Sequence, residues 1–167
     1  MNGKLLLAVS SCLLGNKVRY DGQSKSNQFI LDELANFCDF VAVCPEHLAF
    51  GTPRPTIQVN RDLNGNGFSV VEVNSAVNVS ADLEPAIASE IKRLQALPID
   101  GIILKSGSPS CGVGSCLHFH NNKQVGVGDG LFALACKQSF PELPLEEESN
   151  LKDPSQKEAF IKQLLAQ

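Results

Sequence analysis

The sequence is poor in the side chains that build extended binding surfaces. Of its 167 residues none is tryptophan and only one is tyrosine, so aromatic platforms that stack nucleic-acid bases are not expected. Charged residues make up 19% of the chain, and the 14 Lys and Arg are outnumbered by 18 Asp and Glu. Duplex nucleic acid binds to clustered cations, so this balance argues against it as a partner.

Long hydrophobic runs are also missing. The longest apolar run, Leu5 to Val9, is far shorter than the roughly 20 residues that a membrane-spanning helix needs. No basic segment followed by a long apolar stretch opens the chain, so we expect no membrane association and a cytoplasmic location. The 43% of apolar residues and the chain length predict one folded domain over residues 1–167. The protein is expected to be a monomer or a weak homodimer.

Three short apolar runs predict the strands of a mostly parallel sheet. They lie at residues 4–10, 40–43 and 101–104, and such nearly unbroken runs are typical of strands that are buried on both faces. Segments with helical spacing lie between them, which is the order expected of parallel strands joined by crossover helices. The predicted fold is therefore a three-layer α/β domain, Rossmann-like, with helices on both faces of the sheet.

Periodicity and turn residues predict the remaining elements. Helices are expected over residues 28–38, from Asp82 as N-cap to Pro98, over residues 131–136, and after a cap formed by Asp153 and Pro154. A hairpin is expected around the turn at residues 64–67, and a short edge strand over residues 143–147.

The six cysteines fall into groups when they are placed on this fold. A framework of three disulfides is typical of short secreted chains, so reduced thiols are expected here. Cys12, Cys44 and Cys111 each follow the end of a different predicted strand, and the carboxyl ends of parallel strands meet at one edge of a sheet. Three thiols that are distant in sequence are therefore predicted to meet at that edge.

The other three cysteines have different surroundings. Cys38 and Cys136 fall within or at the ends of predicted helices, where a cysteine is most often a small buried hydrophobic residue. Cys116 stands close to His118 and His120, in a short cluster that lacks the paired spacing of structural zinc sites. The roles of Cys116, His118 and His120 stay open.

Three convergent thiols permit two kinds of chemistry. As ligands they are one short of the four that close an iron-sulfur cluster, which leaves one metal with an exchangeable position that can polarise a substrate atom. In the other hypothesis, Cys111 acts alone as a nucleophile with His118 or His120 as its base. The residue pattern by itself leaves both hypotheses standing.

Polar side chains surround the predicted meeting point of the thiols. Glu46 comes two residues after Cys44, where a carboxyl group at the mouth of a cleft could act as general acid or base. The candidates for orienting a polar substrate are Ser10, Ser11, Arg19, Asp21, Lys105 and Ser110. Neither glycine-rich loop has a phosphate-binding pattern, so a nucleotide cofactor is not expected.

Three motifs occur in an order that matches a known family. They are SSCLLG followed by RYDG, VCPE followed by GTPRP, and LKSGSPSCG followed by GDG. Together, over residues 4–148, they resemble the iron-sulfur thiouracil desulfidase family, formerly a domain of unknown function. The resemblance implies a 4Fe-4S cluster that is held by Cys12, Cys44 and Cys111 and has one iron free.

The resemblance also implies an activity. In the family's non-redox chemistry the free iron captures the sulfur of a thiolated pyrimidine while water replaces that sulfur, so that thiouracil gives uracil and sulfide. Glu46 and Ser108 match the family's acid/base glutamate and active-site serine. The implied partner is a small thiolated nucleobase.

Two segments depart from the family pattern. Val18 stands where many relatives have a cysteine, and the segment SCLHFHNN replaces a plain glycine-rich turn. The loss at Val18 removes an extra thiol and leaves the implied ligands in place.

The alternative function is a non-catalytic iron-sulfur or zinc module for redox sensing or sulfur carriage.

Overall fold

The structure, a computed structural model, describes residues 3–65 and 67–166. The strands are β1 (Leu5–Ser10), β2 (Cys38–Val43), β3 (Ile57–Arg61), β4 (Phe68–Glu72), β5 (Gly101–Leu104), β6 (Cys116–His120), β7 (Lys123–Gly128) and β8 (Leu145–Glu147). The α-helices are α1 (Pro45–Phe50), α2 (Ser80–Gln95), α3 (Leu131–Ser139) and α4 (Pro154–Leu165). In this described part of the chain, none of the helices combines the length and the apolar character that crossing a bilayer requires.

Four of the strands form a parallel sheet with the order β2-β1-β5-β8. β1 pairs in parallel with both β2 and β5, and β5 pairs in parallel with β8, the edge strand that the sequence predicts. The apolar runs predict these strands because a strand that is covered on both faces needs apolar side chains on both. The expected α/β fold with a mostly parallel sheet is confirmed.

Each face of this sheet packs against its own layer of helices, because alternate residues of a strand point to opposite faces. Leu7 of β1 belongs to one buried cluster, together with Phe160 of α4. Its neighbour Ala8 belongs to the other, together with Leu83 of α2 and Phe132 of α3. Burying a large apolar side chain stabilises the fold by about 1.5–3 kcal/mol, so both layers contribute to holding the sheet.

A second sheet has the order β4-β3-β6-β7. The predicted hairpin of β3 and β4 is confirmed, and Asn66 of its turn lies outside the described residues. Apolar alternation does not predict the pair of β6 and β7, because histidines occupy strand positions in β6. The turn between them holds the available signal: Asn121 and Asn122 have φ angles of 49° and 60°, the left-handed conformation that tight hairpin turns need.

The segment between β1 and β2 differs from the helix expected over residues 28–38. It forms a π-helical stretch (Phe29–Glu33) and a 3-10 turn (Leu34–Asn36), and Cys38 is the first residue of β2. The Phe37 amide donates to the Leu34 carbonyl at 3.0 Å, so the chain turns into the strand before a regular helix forms. The helical placement of Cys38 is therefore wrong, whereas its predicted burial is confirmed by an exposure of 1%.

The starts of the two long helices test the predicted caps. Helix α2 begins at Ser80, whose amide donates to the Asn78 side chain at 3.0 Å, so the prediction of Asp82 as N-cap is wrong. The predicted cap of α4 is confirmed, because the Asp153 carboxylate accepts from the amides of Ser155 and Gln156. The polar side chain of Asn78, two residues before the observed start and four before the expected cap, therefore binds the first amide of α2.

Candidate functional site

Three cysteines meet at one cavity at the carboxyl edge of the parallel sheet. Cys12 follows β1, Cys44 follows β2, and Cys111 lies in the loop after β5. All three line a cavity of about 300 Å³. All six cysteines of the chain are free thiols in the structure. The direction of the parallel strands explains the meeting, since each strand ends at the same edge.

Local structure fixes the first two thiols at the cavity wall. Cys12 lies in a 3-10 turn (Ser11–Leu14) that ends at Gly15, whose φ of 92° is in the left-handed region that favours glycine. Cys44 is the N-cap of α1; burial raises the pKa of its thiol, and the His47 backbone N–H partly opposes this rise. Both sulfur positions therefore depend on how the backbone turns as it leaves a strand.

A serine and a glycine shape the loop that carries Cys111. Ser108 Oγ accepts hydrogen bonds from the amides of Ser110 at 3.2 Å and Cys111 at 3.0 Å. A Cβ on Gly130 would lie 2.5 Å from the carbonyl carbon and oxygen of Ser110. Only glycine at the start of α3 therefore permits the helix to approach this loop, and sequence reasoning missed Gly130 although it lies in the GDG motif.

Two buried glutamates at the end of β8 accept hydrogen bonds from both ends of the loop that carries Cys111. Glu148 accepts from the Ser106 amide at 2.6 Å and forms an ion pair with Lys105 Nζ at 2.8 Å. Glu147 accepts from the Val113 amide at 3.0 Å. Their exposures are 5% for Glu147 and 7% for Glu148. Sequence reasoning missed both residues, although a run of three glutamates at 146–148 in a predicted strand is a usable signal.

Burial favours the protonated form of the three thiols. Desolvation, with Cys44 adding to it, raises the pKa of Cys12 to about 11. Desolvation also raises the pKa values of Cys44 and Cys111. The positive charges of Lys105 and Arg19 oppose this rise at Cys12. Cations at the cavity wall therefore favour the thiolate form, which is the form that binds metals.

Glu46 and Arg54 form a buried ion pair at the cavity wall. Arg54 Nε lies 3.3 Å from Glu46 Oε2, and the two side chains are 5% and 13% exposed respectively. Arg54 Nη1 also donates to the carbonyls of Val18 at 2.7 Å and Gly51 at 3.0 Å. The second carboxylate oxygen of Glu46 accepts from the Ser110 hydroxyl at 2.7 Å. The carboxylate is therefore held in one orientation with its charge compensated.

Arg54 is a site residue that sequence reasoning missed. It stands between two prolines in the GTPRP motif. A charged side chain in a loop that prolines restrict was the signal available in the sequence. Its ion-pair partner could not be read from the motif, because the contact joins two different segments.

The structure brings most of the predicted site residues to this cavity. The residues that line it with the three cysteines include Ser10, Ser11, Glu46, Lys105, Ser108 and Ser110. Asp21 is not among the described residues that line it. Its Oδ1 atom lies 3.6 Å from Nε of Arg19, which does line the cavity. Asp21 therefore reaches the cavity only through Arg19.

Several of these side chains already have partners within the protein. Lys105 Nζ donates to the carbonyl and hydroxyl of Ser106 and pairs with Glu148, which uses its three N–H groups. Ser10 Oγ accepts from the Lys105 amide at 2.9 Å; burial raises the pKa of Cys111, and the Ser10 side chain partly opposes this rise. Both residues therefore shape the wall, and Lys105 has little hydrogen-bonding capacity left for a ligand.

The cluster of Cys116, His118 and His120 lies in the second sheet. His118 is 1% exposed; its Nδ1 accepts from Arg61 Nη2, and its Nε2 donates to the Asp129 carbonyl, both at 3.0 Å. Neither histidine is among the described residues that line the cavity. Neither imidazole is therefore placed to serve as a base for Cys111.

The donor arrangement suits a metal cluster better than a single ion. Within residues 3–65 and 67–166, no three His, Cys, Asp or Glu side chains converge as the ligands of one metal ion would. A 4Fe-4S cluster distributes thiolate ligands over several irons, so its ligands surround a volume instead of a point. Three soft thiol donors around one cavity fit such a cluster.

Comparison with known proteins identifies the family. The family model described as 2-thiouracil desulfurase matches residues 7–148. The chain belongs to this family. The match covers the three thiols, Glu46, Glu147 and Glu148, so the resemblance of the motifs is confirmed.

Two known proteins are similar to this member of the 2-thiouracil desulfurase family. The uncharacterized protein YbbK of Bacillus subtilis (strain 168) is 29% identical over 150 residues, which cover 87% of this chain and 98% of YbbK. The solved structure of the 4Fe-4S-dependent thiouracil desulfidase TudS is 30% identical, with a TM-score of 0.63. That similarity covers 96% of this chain and 99% of TudS, so the two share one fold over nearly their full lengths.

Proposed function

We propose that this protein converts a thiolated pyrimidine and water to the oxo-pyrimidine and sulfide, without a redox step, at a 4Fe-4S cluster held by Cys12, Cys44 and Cys111. The observation that carries the proposal is that three thiols from three strand ends line one cavity together with Glu46. The family match and the name of the TudS structure support the substrate and the cofactor. The whole chain, residues 1–167, acts as a single domain.

The cluster and the cavity wall have separate tasks. When bound, a 4Fe-4S cluster with three cysteine ligands supplies an iron with an exchangeable position, a soft Lewis acid that binds sulfur and polarises the carbon-sulfur bond. The chain supplies the three thiols, a cavity of about 300 Å³ for a small ring, and polar side chains around it. Lewis-acid polarisation needs no electron transfer, which agrees with a hydrolytic reaction.

Glu46 manages the protons of this reaction. Its carboxylate is oriented by Arg54 and by the Ser110 hydroxyl at the cavity wall. In this orientation it takes a proton from the water that attacks the sulfur-bearing ring carbon, and it returns that proton to the departing sulfur. The new carbon-oxygen bond comes from water, the carbon-sulfur bond breaks, and the sulfur leaves as hydrosulfide, while the second proton of the water is released as the ring carbonyl forms.

Ser108 positions the ring. Its Oγ already accepts hydrogen bonds from two backbone amides, those of Ser110 and Cys111. A hydroxyl has one hydrogen to donate, so the hydrogen of Ser108 is free for an acceptor atom of the pyrimidine. The same residue therefore shapes the Cys111 loop and contacts the substrate.

Anaerobic reconstitution with iron and sulfide tests the proposal. The loaded protein is expected to hold about four iron and four sulfide per chain and to release uracil and sulfide from 2-thiouracil. Cys111→Ala should lose both iron and turnover, whereas Cys136→Ala should keep both because Cys136 is not among the described residues that line the cavity. Full iron content and turnover in Cys111→Ala would contradict the assignment. A loaded protein without turnover would favour the non-catalytic module instead.

A further inference from the structure

Three cations line the cavity, and the protein's own acceptors hold two of them. Arg54 is bound by the Glu46 carboxylate and by backbone carbonyls. Lys105 is bound by the Glu148 carboxylate and by Ser106. The third cation is Arg19, which lines the cavity on the segment that follows the Cys12 turn. The hydrogen-bonding state of Arg19 therefore decides whether a cation is available to a ligand.

Arg19 has an unsatisfied buried nitrogen. Across residues 3–65 and 67–166, its Nε is the one buried side-chain nitrogen or oxygen without a hydrogen-bond partner. The nearest carboxylate oxygen, Asp21 Oδ1, is 3.6 Å away and already accepts from the Gln23 amide at 3.0 Å. Buried polar groups in folded proteins are nearly always hydrogen-bonded. Arg19 lines the cavity, and its guanidinium therefore has a donor that the protein leaves without a hydrogen bond.

A tight turn holds Arg19 in place. The Gly22 amide donates to the Arg19 carbonyl at 2.9 Å, and the Arg19 amide donates to the Gln23 carbonyl at 3.1 Å. Gly22 has a φ of 75°, which favours glycine at this position. The guanidinium carbon lies 5.7 Å from the centre of the Tyr20 ring, and Tyr20 lines the same cavity. The side chain is thus ordered before binding, which reduces the entropy lost when a ligand is held.

We propose that Arg19 binds the carbonyl oxygen of the thiolated ring, the oxygen that stays on the pyrimidine while the sulfur is removed; this rests on the proposed function. A guanidinium presents planar donors that suit the acceptor edge of a flat ring. Asp21, at 3.6 Å, offsets part of the positive charge, which suits a neutral carbonyl oxygen better than a phosphate dianion. Arg19 therefore selects thiopyrimidines that carry a carbonyl oxygen over those that lack it.

A pair of substrates tests this selection. 2-Thiouracil and pyrimidine-2-thione carry sulfur at the same ring carbon, and only 2-thiouracil has the carbonyl oxygen. Cluster-loaded wild type is expected to prefer 2-thiouracil in kcat/KM by about 10- to 100-fold more than Arg19→Gln does, since a hydrogen bond to a charged group contributes a factor of that order. Comparing the two preferences cancels the difference in intrinsic reactivity of the substrates.

Two further variants control this comparison. Arg19→Lys keeps the charge but loses the planar set of donors, so its preference should fall between those of wild type and Arg19→Gln. Lys92→Gln removes one positive charge at an exposed position of α2 and should keep the wild-type preference. An unchanged preference in Arg19→Gln, or an equal loss in Lys92→Gln, would overturn the role of Arg19.

A binding measurement separates this inference from the proposed function. In equilibrium dialysis against the loaded protein, labelled uracil should bind wild type about 10- to 100-fold more tightly than Arg19→Gln, whereas pyrimidin-2-one, which lacks the second oxygen, should bind both alike. This pattern without turnover of any thiopyrimidine would support Arg19 and overturn the proposed function. Turnover of 2-thiouracil, together with equal uracil binding to wild type and Arg19→Gln, would support the proposed function and overturn the role of Arg19. If Arg19 were needed for binding of inorganic phosphate and not of uracil, its assignment to the carbonyl oxygen of the pyrimidine would be overturned.

Discussion

Two groups of soft donors occur in the described part of this fold, and the first of them lines the cavity at the carboxyl edge of the parallel sheet. Cys12, Cys44 and Cys111 follow strands of the parallel sheet and line one space. Cys116 and His118 lie inside β6 of the second sheet, each 1% exposed. The second group is the denser one along the sequence, yet its histidine is fully hydrogen-bonded within the protein. Strand direction and free space therefore decide where metal chemistry is possible, more than the density of suitable residues does.

Removing one thiol from each group gives the largest expected contrast. Cys44→Ala should lose most of its iron and all measurable turnover, because the proposed cluster loses one of three ligands. Cys116→Ala should keep its iron, since the Cys116 sulfur contacts backbone carbonyls, the nearest being Leu117 O at 3.5 Å. Iron, sulfide and turnover per chain after anaerobic loading are the measurements. Comparable iron loss in both variants would erase the distinction between the two groups.

The carboxylate at the cavity is expected to affect turnover without affecting iron. Glu46→Gln should lower kcat by about 10²- to 10⁴-fold, because a positioned acid/base group contributes a factor of that size. Its iron content should stay at the wild-type level, since Glu46 is not a proposed ligand. Glu84→Gln, at an exposed position of α2, is the matched control and should behave as wild type. Wild-type kcat in a fully loaded Glu46→Gln variant would remove Glu46 from the mechanism.

Two glycines near the two groups sharpen the comparison at the level of stability. A Cβ at Gly130 would lie 2.5 Å from the Ser110 backbone, and one at Gly128 would lie 2.6 Å from the His118 ring. Either alanine should cost about 1–3 kcal/mol of unfolding free energy, the usual effect of overpacking, as measured by urea denaturation. Only Gly130→Ala should also reduce iron retention, because only that clash displaces the Cys111 loop. Normal iron retention in a destabilised Gly130→Ala would show that the loop tolerates the displacement.

A helix cap that is remote from both groups provides the smallest expected effect. Hydrogen bonds from the Ser155 side chain and the Gln156 amide lower the pKa of Asp153 below its usual 3.8. A carboxyl group with a lowered pKa in the folded state contributes stability above its unfolded pKa, and this contribution is lost as the pH falls through the folded pKa. Asp153→Ala should therefore lower the urea midpoint slightly at neutral pH, and the difference should shrink below pH 3.8. A difference that grows in acid would contradict this account.

The parallel sheet and the meeting of the thiols could be predicted because both depend on local patterns. The run at residues 4–10 shows burial on both faces without any knowledge of its neighbours, and a cysteine directly after such a run is placed at the sheet edge by strand direction alone. The same reasoning fails for β6, where His118 satisfies its polar atoms with Arg61, which is 57 residues away in the sequence.

The supporting residues of the site could not be predicted for the same reason. Glu148 accepts a hydrogen bond from the Ser106 amide, 42 residues away in the sequence. Glu147 accepts one from the Val113 amide, 34 residues away. Arg54 and Glu46 are only eight residues apart, but their contact depends on the turn of the chain between α1 and β3. Such pairings arise from the packing of separate segments, and one sequence by itself contains no periodicity that reports them.

The hydrogen bonds around the Cys111 loop determine how much of the site would persist without the proposed cluster. Those from Ser106 to Glu148, from Val113 to Glu147 and from Ser110 to Glu46 involve no sulfur atom. The shape of the cavity therefore depends on contacts within the polypeptide and not on the proposed cluster. If oxygen destroyed the proposed cluster, these hydrogen bonds would remain, and the folded chain would keep the loop that a new cluster needs.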